Sequence, residues 1–148
     1  MSSRQLQQST ANRVIVLNVR ALQLWIPVVA YMAAIFYLSS LSQAPLPSGV
    51  SDKPAHALGY LGFGFVIARA IGGGLPPRLT LTGLAVGLAI AVAYGASDEW
   101  HQWFVPGRSA DLADLYADAT GSAIALIASW AWGILALRSR LPAASSRL

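Results

Sequence analysis

Six acidic residues stand in this chain of 148, and five of them, Asp98, Glu99, Asp111, Asp114 and Asp118, fall between positions 98 and 118. The sixth, Asp52, lies four residues before His56, and the second histidine, His101, follows Glu99 by two. Lys53 and Arg108 are the basic residues interspersed with them. Carboxylates beside imidazoles are the groups of general acid–base chemistry. A guanidinium grips a phosphate through two parallel hydrogen bonds, and carboxylate oxygens suit a hard divalent cation. Other chemistries are absent: without cysteine there is no thiolate nucleophile, and no phosphate-binding P-loop or Gly-x-Ser-x-Gly elbow occurs.

Helical spacing sorts these residues into groups. Asp52, His56 and Tyr60 recur at steps of four, so a helix beginning near Ser51 stacks them on one face. The same start also allows a plainer reading, with Ser51 as N-cap, Asp52 as a first-turn acid and Lys53 snorkelling to the surface. His56 falls just inside an apolar stretch, where an imidazole facing lipid has no purpose. Asp98 shares a face with His101 and Gln102, whereas Glu99 shares one with Gln102. Trp100, Trp103 and Phe104 form an aromatic belt of the kind found at membrane boundaries. Pro106-Gly107 makes a turn that presents Arg108. Asp111, Asp114 and Asp118 follow at i, i+3 and i+7 on one helix face. A solvated helix end accounts well for Asp111 and poorly for Asp118, the deepest of the three.

The elements that must hold these groups are membrane helices. The chain is 55% hydrophobic and only 11% charged, against about 25% charged residues in soluble domains. With a mean hydropathy of +0.54 it would expose large apolar areas in water, which excludes a soluble enzyme, a disordered region and a disulfide-stapled secreted module. The net charge of +4 arises from scattered basic residues, which argues against a nucleic-acid partner. A span needs about 20 apolar residues, and four stretches satisfy this: 22–41, 57–75, 79–97 and 119–137. The first is long for a cleaved signal peptide and lacks a small-x-small exit, so it is expected to stay as a helix, with Pro27 near its start. Gly83, Gly87, Ala91 and Gly95 on the third span, and Gly121, Ala125, Ser129 and Gly133 on the fourth, form small-residue stripes that let those two helices approach closely.

Arg4, Arg13, Arg20, Arg69, Arg78, Arg138, Arg140 and Arg147 fall on one side of the four spans; Lys53 and Arg108 fall on the other. The excess of basic residues marks the cytoplasmic side. The expected architecture is therefore an all-α, four-helix transmembrane bundle in the plasma membrane with both termini cytoplasmic. Residues 1–20 form a loose cytoplasmic tail, 21–138 the transmembrane domain and 139–148 a second tail. A short re-entrant or interfacial segment completes the outer face. Every acid and both histidines gather there, and ionisable groups at membrane depth are costly enough to point to function.

Taken in order, these segments resemble the VanZ-like family of small bacterial membrane proteins. The matching pieces are Tyr37-Leu38-Ser39-Ser40, Asp52-Lys53-Pro54-Ala55-His56 with Tyr60, Ser97-Asp98-Glu99-Trp100-His101-Gln102, Val105-Pro106-Gly107-Arg108, and Asp114-Leu115-Tyr116-Ala117-Asp118-Ala119-Thr120-Gly121. The likeness runs from Tyr37 to Gly133 and departs at Asp118, where the family often carries Asn; Asp111 falls at a variable position. The resemblance implies an envelope protein connected with glycopeptide resistance and grouped with enzymes that modify lipid head groups. On that reading His56 is general base or nucleophile, Arg108 holds a phosphate, and Asp98, Glu99 and Asp114 orient the reactants or bind a divalent cation. Lys53, Tyr60, His101, Gln102 and Asp118 bind the substrate, a membrane lipid or lipid-linked precursor. A non-catalytic protein that binds such a lipid is the alternative. A proton-coupled transporter ranks last, because apart from Arg69 and the small hydroxyl residues the cytoplasmic halves of the spans lack a polar track.

The topology has a direct test, since the chain has no cysteine of its own. Single cysteines at Ser48 and Ser109 are expected to react with a membrane-impermeant maleimide on intact cells, and one at Ser145 is expected to stay unlabelled. Labelling at Ser145 would reverse the orientation.

Overall fold

The computed structural model describes residues 3–42 and 51–139; Ser48, Ser145 and the tail beyond Leu141 lie outside them. Four helices account for the described chain: α1 (Ser3–Ser39), α2 (Lys53–Ile71), α3 (Leu81–Gln102) and α4 (Leu112–Arg138). All four contain stretches long and apolar enough to cross a membrane, the one in α1 being Val19–Ser39. The link between α3 and α4, residues 103–111, is short and has no helix of its own.

Alternating helix direction is what assembles the site. The C-terminal ends of α1 and α3 meet the N-terminal ends of α2 and α4 at one end of the bundle, as the Ser39–Asp98, His56–Asp118 and Arg108–Leu41 contacts record. At the opposite end Arg20 donates to the carbonyl of Gly73 in the α2–α3 turn. Residues far apart in sequence but at equal heights thus share one layer.

Two expectations about α1 need correction. It begins at Ser3, so the segment expected as a loose tail through residue 20 is helical. That segment contains neither Gly nor Pro, and extending a formed helix needs no new nucleus. Pro27 consequently lies in the helix interior, where it has no N–H for the carbonyl of Gln23 four residues back. The Arg69 guanidinium of α2 reaches that carbonyl and the one beside it, with Nη1 3.4 Å from the oxygens of both Gln23 and Leu24. A neighbouring helix therefore supplies the donor that proline lacks, as spanning helices require. This explains the one arginine that stands inside an expected span.

The third-span stripe meets α4 as expected, whereas Gly121 of the fourth-span stripe packs on α2. The most intimate packing is between α2 and α4, with α3 lying against both. Gly121 lies directly on the backbone carbonyl of Ala57, and Gly64 sits against the Ser122 backbone, so each position lacks room for a Cβ. Gly87 admits Leu126 and Ile67 to α3, while Gly95 lies against the Asp118 carboxylate and Leu115. The interior below the polar end is aromatic: Phe63 packs against Tyr31, Tyr60 and Tyr94, with ring centroids 5.9, 5.6 and 5.3 Å away. Leu58, Leu81, Leu112 and Tyr116 point outward and are exposed, as lipid-facing residues should be.

Gly121→Val is expected to cost about 1–3 kcal/mol by overpacking, because backbone on α2 blocks the new side chain. Gly59 has nothing within 4 Å of a built Cβ, so Gly59→Ala should raise stability by up to about 1 kcal/mol through helix propensity. Thermal unfolding of the two variants in detergent measures both effects.

Candidate functional site

The polar end holds charge where an aqueous protein would hold apolar core. Asp98, Glu99, Gln102, Asp114 and Asp118 are all buried, Asp118 completely. Each has a reason from its own helix. Asp98 and Gln102 are one turn apart on α3, and Gln102 Nε2 donates to Asp98 Oδ2 at 3.2 Å. From α1, Ser39 Oγ donates to Asp98 Oδ1 at 2.6 Å. Asp114 and Asp118, one turn apart on α4, face α2 and meet Lys53 and His56 respectively, themselves three residues apart on one face of that helix.

Lys53 is the electrostatic clamp between α2 and α4. Its Nζ lies 3.0 Å from Asp111 Oδ2, 3.2 Å from Asp114 Oδ1 and 3.6 Å from Asp52 Oδ1. Asp111 is the N-cap of α4 and accepts from the backbone N–H of Ala113. That N–H, and then Lys53, hold the Asp111 carboxyl below the usual carboxylate range. Asp111, expected as part of a solvated helix end, caps that end. Asp52, and not Ser51, is the N-cap residue of α2, and its side chain makes no capping bond.

His56 Nδ1 is 3.0 Å from Asp118 Oδ1. The ring is largely enclosed, its side chain 13% exposed, and lines a cavity of about 170 Å³ together with Ser39, Asp52, Tyr60, Asp98 and Arg108. Behind the imidazole, Glu99 Oε2 accepts from the Asp111 N–H at 2.8 Å and ties the end of α3 to the start of α4. One donor atom from each of His56, Glu99 and Asp118 lies within 4.8 Å of the other two, and Asp52, His56 and Asp114 form a second such group.

The structure thus brings most of the expected residues together and separates one. His56, Tyr60, Asp98, Gln102 and Arg108 line one cavity; Lys53, Glu99, Asp114 and Asp118 form the charged layer around His56. His101 turns away. Its ring stacks on Phe36 with centroids 4.3 Å apart, and its Nε2 lies 3.0 Å from Ser40 Oγ, in a lateral groove with Trp100 and Phe104. The helical grouping of His101 with Asp98 holds only in that both border this groove, so His101 is no part of the main cavity. Arg108 is partly committed. Nε donates to the carbonyl of Leu41 at 2.9 Å and Nη2 to that of Leu38 at 3.3 Å, which satisfies the open carbonyls at the end of α1. Two of its five N–H groups are used, leaving three for another acceptor. Gly107, at φ 84°, makes this possible by turning the chain against the Ser42 carbonyl. Sequence reasoning missed Ser39 as a site residue. Its signal was a hydroxyl pair closing an apolar span, and only the partner across 59 positions gives it meaning.

A family model described as VanZ/LLP1 matches residues 2–135. The chain belongs to the VanZ/LLP1 family and is a multi-pass membrane protein with four apolar helices. No curated protein and no solved structure matches it.

Removing the Ser39 hydroxyl strands a buried carboxylate with a single amide partner. Ser39→Ala is expected to destabilise the protein by about 1–3 kcal/mol. In a thermal-melt double-mutant cycle with Asp98→Asn, a coupling energy of about 0.5–3 kcal/mol is expected. Strict additivity would show that the contact carries no energy.

Proposed function

We propose that this VanZ/LLP1 protein is an enzyme of the outer membrane leaflet that modifies or cleaves phosphate-containing head groups of lipids or lipid-linked envelope precursors. The observation that carries the reading is the enclosed His56, held against a fully buried Asp118 and opening on a cavity that Arg108 also lines. Four buried carboxylates, an imidazole and a guanidinium are more than bundle stability asks for, and each costs free energy to keep in lipid. A phosphate group entering the cavity meets the three remaining Arg108 donors, while Tyr60 and Asp98 line the same space. His56 and its acidic neighbours supply the reactive groups, either by moving a proton or by holding a cation. Exposed Trp100, Trp103 and Phe104 sit on the same end of the bundle, as a boundary belt would, which supports a cavity at head-group depth. The side on which the basic residues concentrate is the cytoplasmic one, so the cavity faces outward.

Turnover decides between this and a protein that only binds lipid. Purified protein in nanodiscs of bacterial phospholipid, followed by phosphorus NMR, is expected to change the head-group signals with time, and His56→Ala is expected to abolish the change. Arg108→Lys keeps the charge and loses the planar fork, so it should lose most of the activity, about as much as Arg108→Gln, with little change in melting temperature. A fully active Arg108→Lys would mean that Arg108 only moors the end of α1. An inert wild type, or an active His56→Ala, would retire the enzyme reading in favour of lipid binding without chemistry.

A further inference from the structure

We propose that His56, Glu99 and Asp118 form a binding site for one divalent cation of the Mn²⁺ or Zn²⁺ class, set in the wall of the cavity. The three donor atoms come from α2, α3 and α4 and lie within 4.8 Å of one another. Ligand bonds of about 2.0–2.2 Å put opposite ligands about 4.4 Å and adjacent ones about 3 Å apart, so the three donors close on an ion through side-chain adjustments of up to about 1–2 Å. His56 Nδ1 and Asp118 Oδ1 already stand 3.0 Å apart, the separation of two adjacent ligands in an octahedron with bonds of about 2.1 Å.

The independent sign of a ligand is in the unpaired atoms. Among the described residues, Glu99 Oε1, Asp118 Oδ2 and Tyr60 Oη are buried without a hydrogen-bond partner. Glu99 is 7% exposed and Asp118 0%, so neither oxygen finds its partner in solvent. Leaving a buried carboxylate oxygen unpaired is among the more costly things a fold can do. The nearby cations do not answer it: Lys53 is taken by Asp111 and Asp114, and Arg108 turns to the α1 carbonyls. Two carboxylates and a neutral imidazole around a divalent ion sum to zero charge, the state a low-dielectric interior favours. The second group, Asp52, His56 and Asp114, is the poorer choice. Lys53 Nζ sits on both of its carboxylates and would repel an ion there. The donor set also indicates the ion. One nitrogen with two carboxylates lies between the all-oxygen sites of Mg²⁺ and Ca²⁺ and the sulfur sites of softer metals. At this position the ion would polarise a phosphate oxygen or acidify a water in the cavity.

This inference goes beyond the proposed lipid chemistry and is tested without it. Full-length protein in detergent, stripped with a chelator, is titrated with Mn²⁺ while electron paramagnetic resonance follows the free ion. One bound Mn²⁺ per chain is expected, displaced by Zn²⁺ and poorly by Mg²⁺ or Ca²⁺. Glu99→Gln and Asp118→Asn should each weaken binding at least tenfold, on the order of the 10–100-fold losses seen even for outer-shell partners, and Thr120→Ala should leave it unchanged. If either variant loses its helical circular dichroism, the wild type still decides the matter: bound Mn²⁺ should broaden the imidazole signals of His56 much more strongly than those of His101. Failure to bind stoichiometrically, unchanged affinity in both folded variants, or broadening centred on His101 would overturn the site. Binding without lipid turnover would uphold the cation site and retire the lipid enzyme. Lipid turnover without stoichiometric Mn²⁺ binding would do the reverse.

Discussion

The controlling constraint is the burial of carboxylates inside a bundle whose outer surface is apolar. An ionised group moved out of water loses several kcal/mol of solvation unless a partner replaces it, and the interior here contains Asp98, Glu99, Asp114 and Asp118. Their partners come from other helices: Ser39 from α1, Lys53 and His56 from α2, and the Asp111 N–H from the loop that ends at α4. The polar contacts are therefore also the tertiary contacts. A shift of one helix by a turn, about 5.4 Å, would unpair several acids together, so the charged layer sets helix heights more strictly than apolar packing could.

Backbone proximity makes these short polar bridges reachable. Gly64 and Gly121 bring α2 and α4 together without an intervening Cβ, and Gly95 lets the Asp118 carboxylate lie against α3. Larger residues there would push the helices apart and lengthen the His56–Asp118 and Lys53–Asp114 contacts. Apolar burial gives little association energy in lipid, so close packing and hydrogen bonds carry the assembly. The same economy governs the rest of the molecule. Pro27 opens a carbonyl that Arg69 closes, the end of α1 opens carbonyls that Arg108 closes, and Tyr31 and Tyr94 hydroxyls donate to Gly59 and Met32 carbonyls across helices.

Residue types and spacing alone indicated the four spans, the all-helical class and the gathering of acids at one end. These follow from local quantities: hydropathy over about 20 residues, the helical repeat, and the alternation of direction that follows from crossing four times. The grouping of Asp52, His56 and Tyr60 was legible for the same reason, since a helix turns the spacing into a face. The start of α1 was not, because polar residues that continue a formed helix look like a tail when only hydropathy is read.

Tertiary structure alone decided the pairings. That Asp98 binds Ser39, that Arg108 turns to the carbonyls of Leu38 and Leu41, and that His101 faces a separate groove depend on helix rotation and height, which no local spacing encodes. The fourth span's small-residue stripe showed that a close contact exists without naming its partner, and α2 proved to be the nearer helix. A helix presents several faces, and the choice among them is made only when every buried polar group has to be satisfied together.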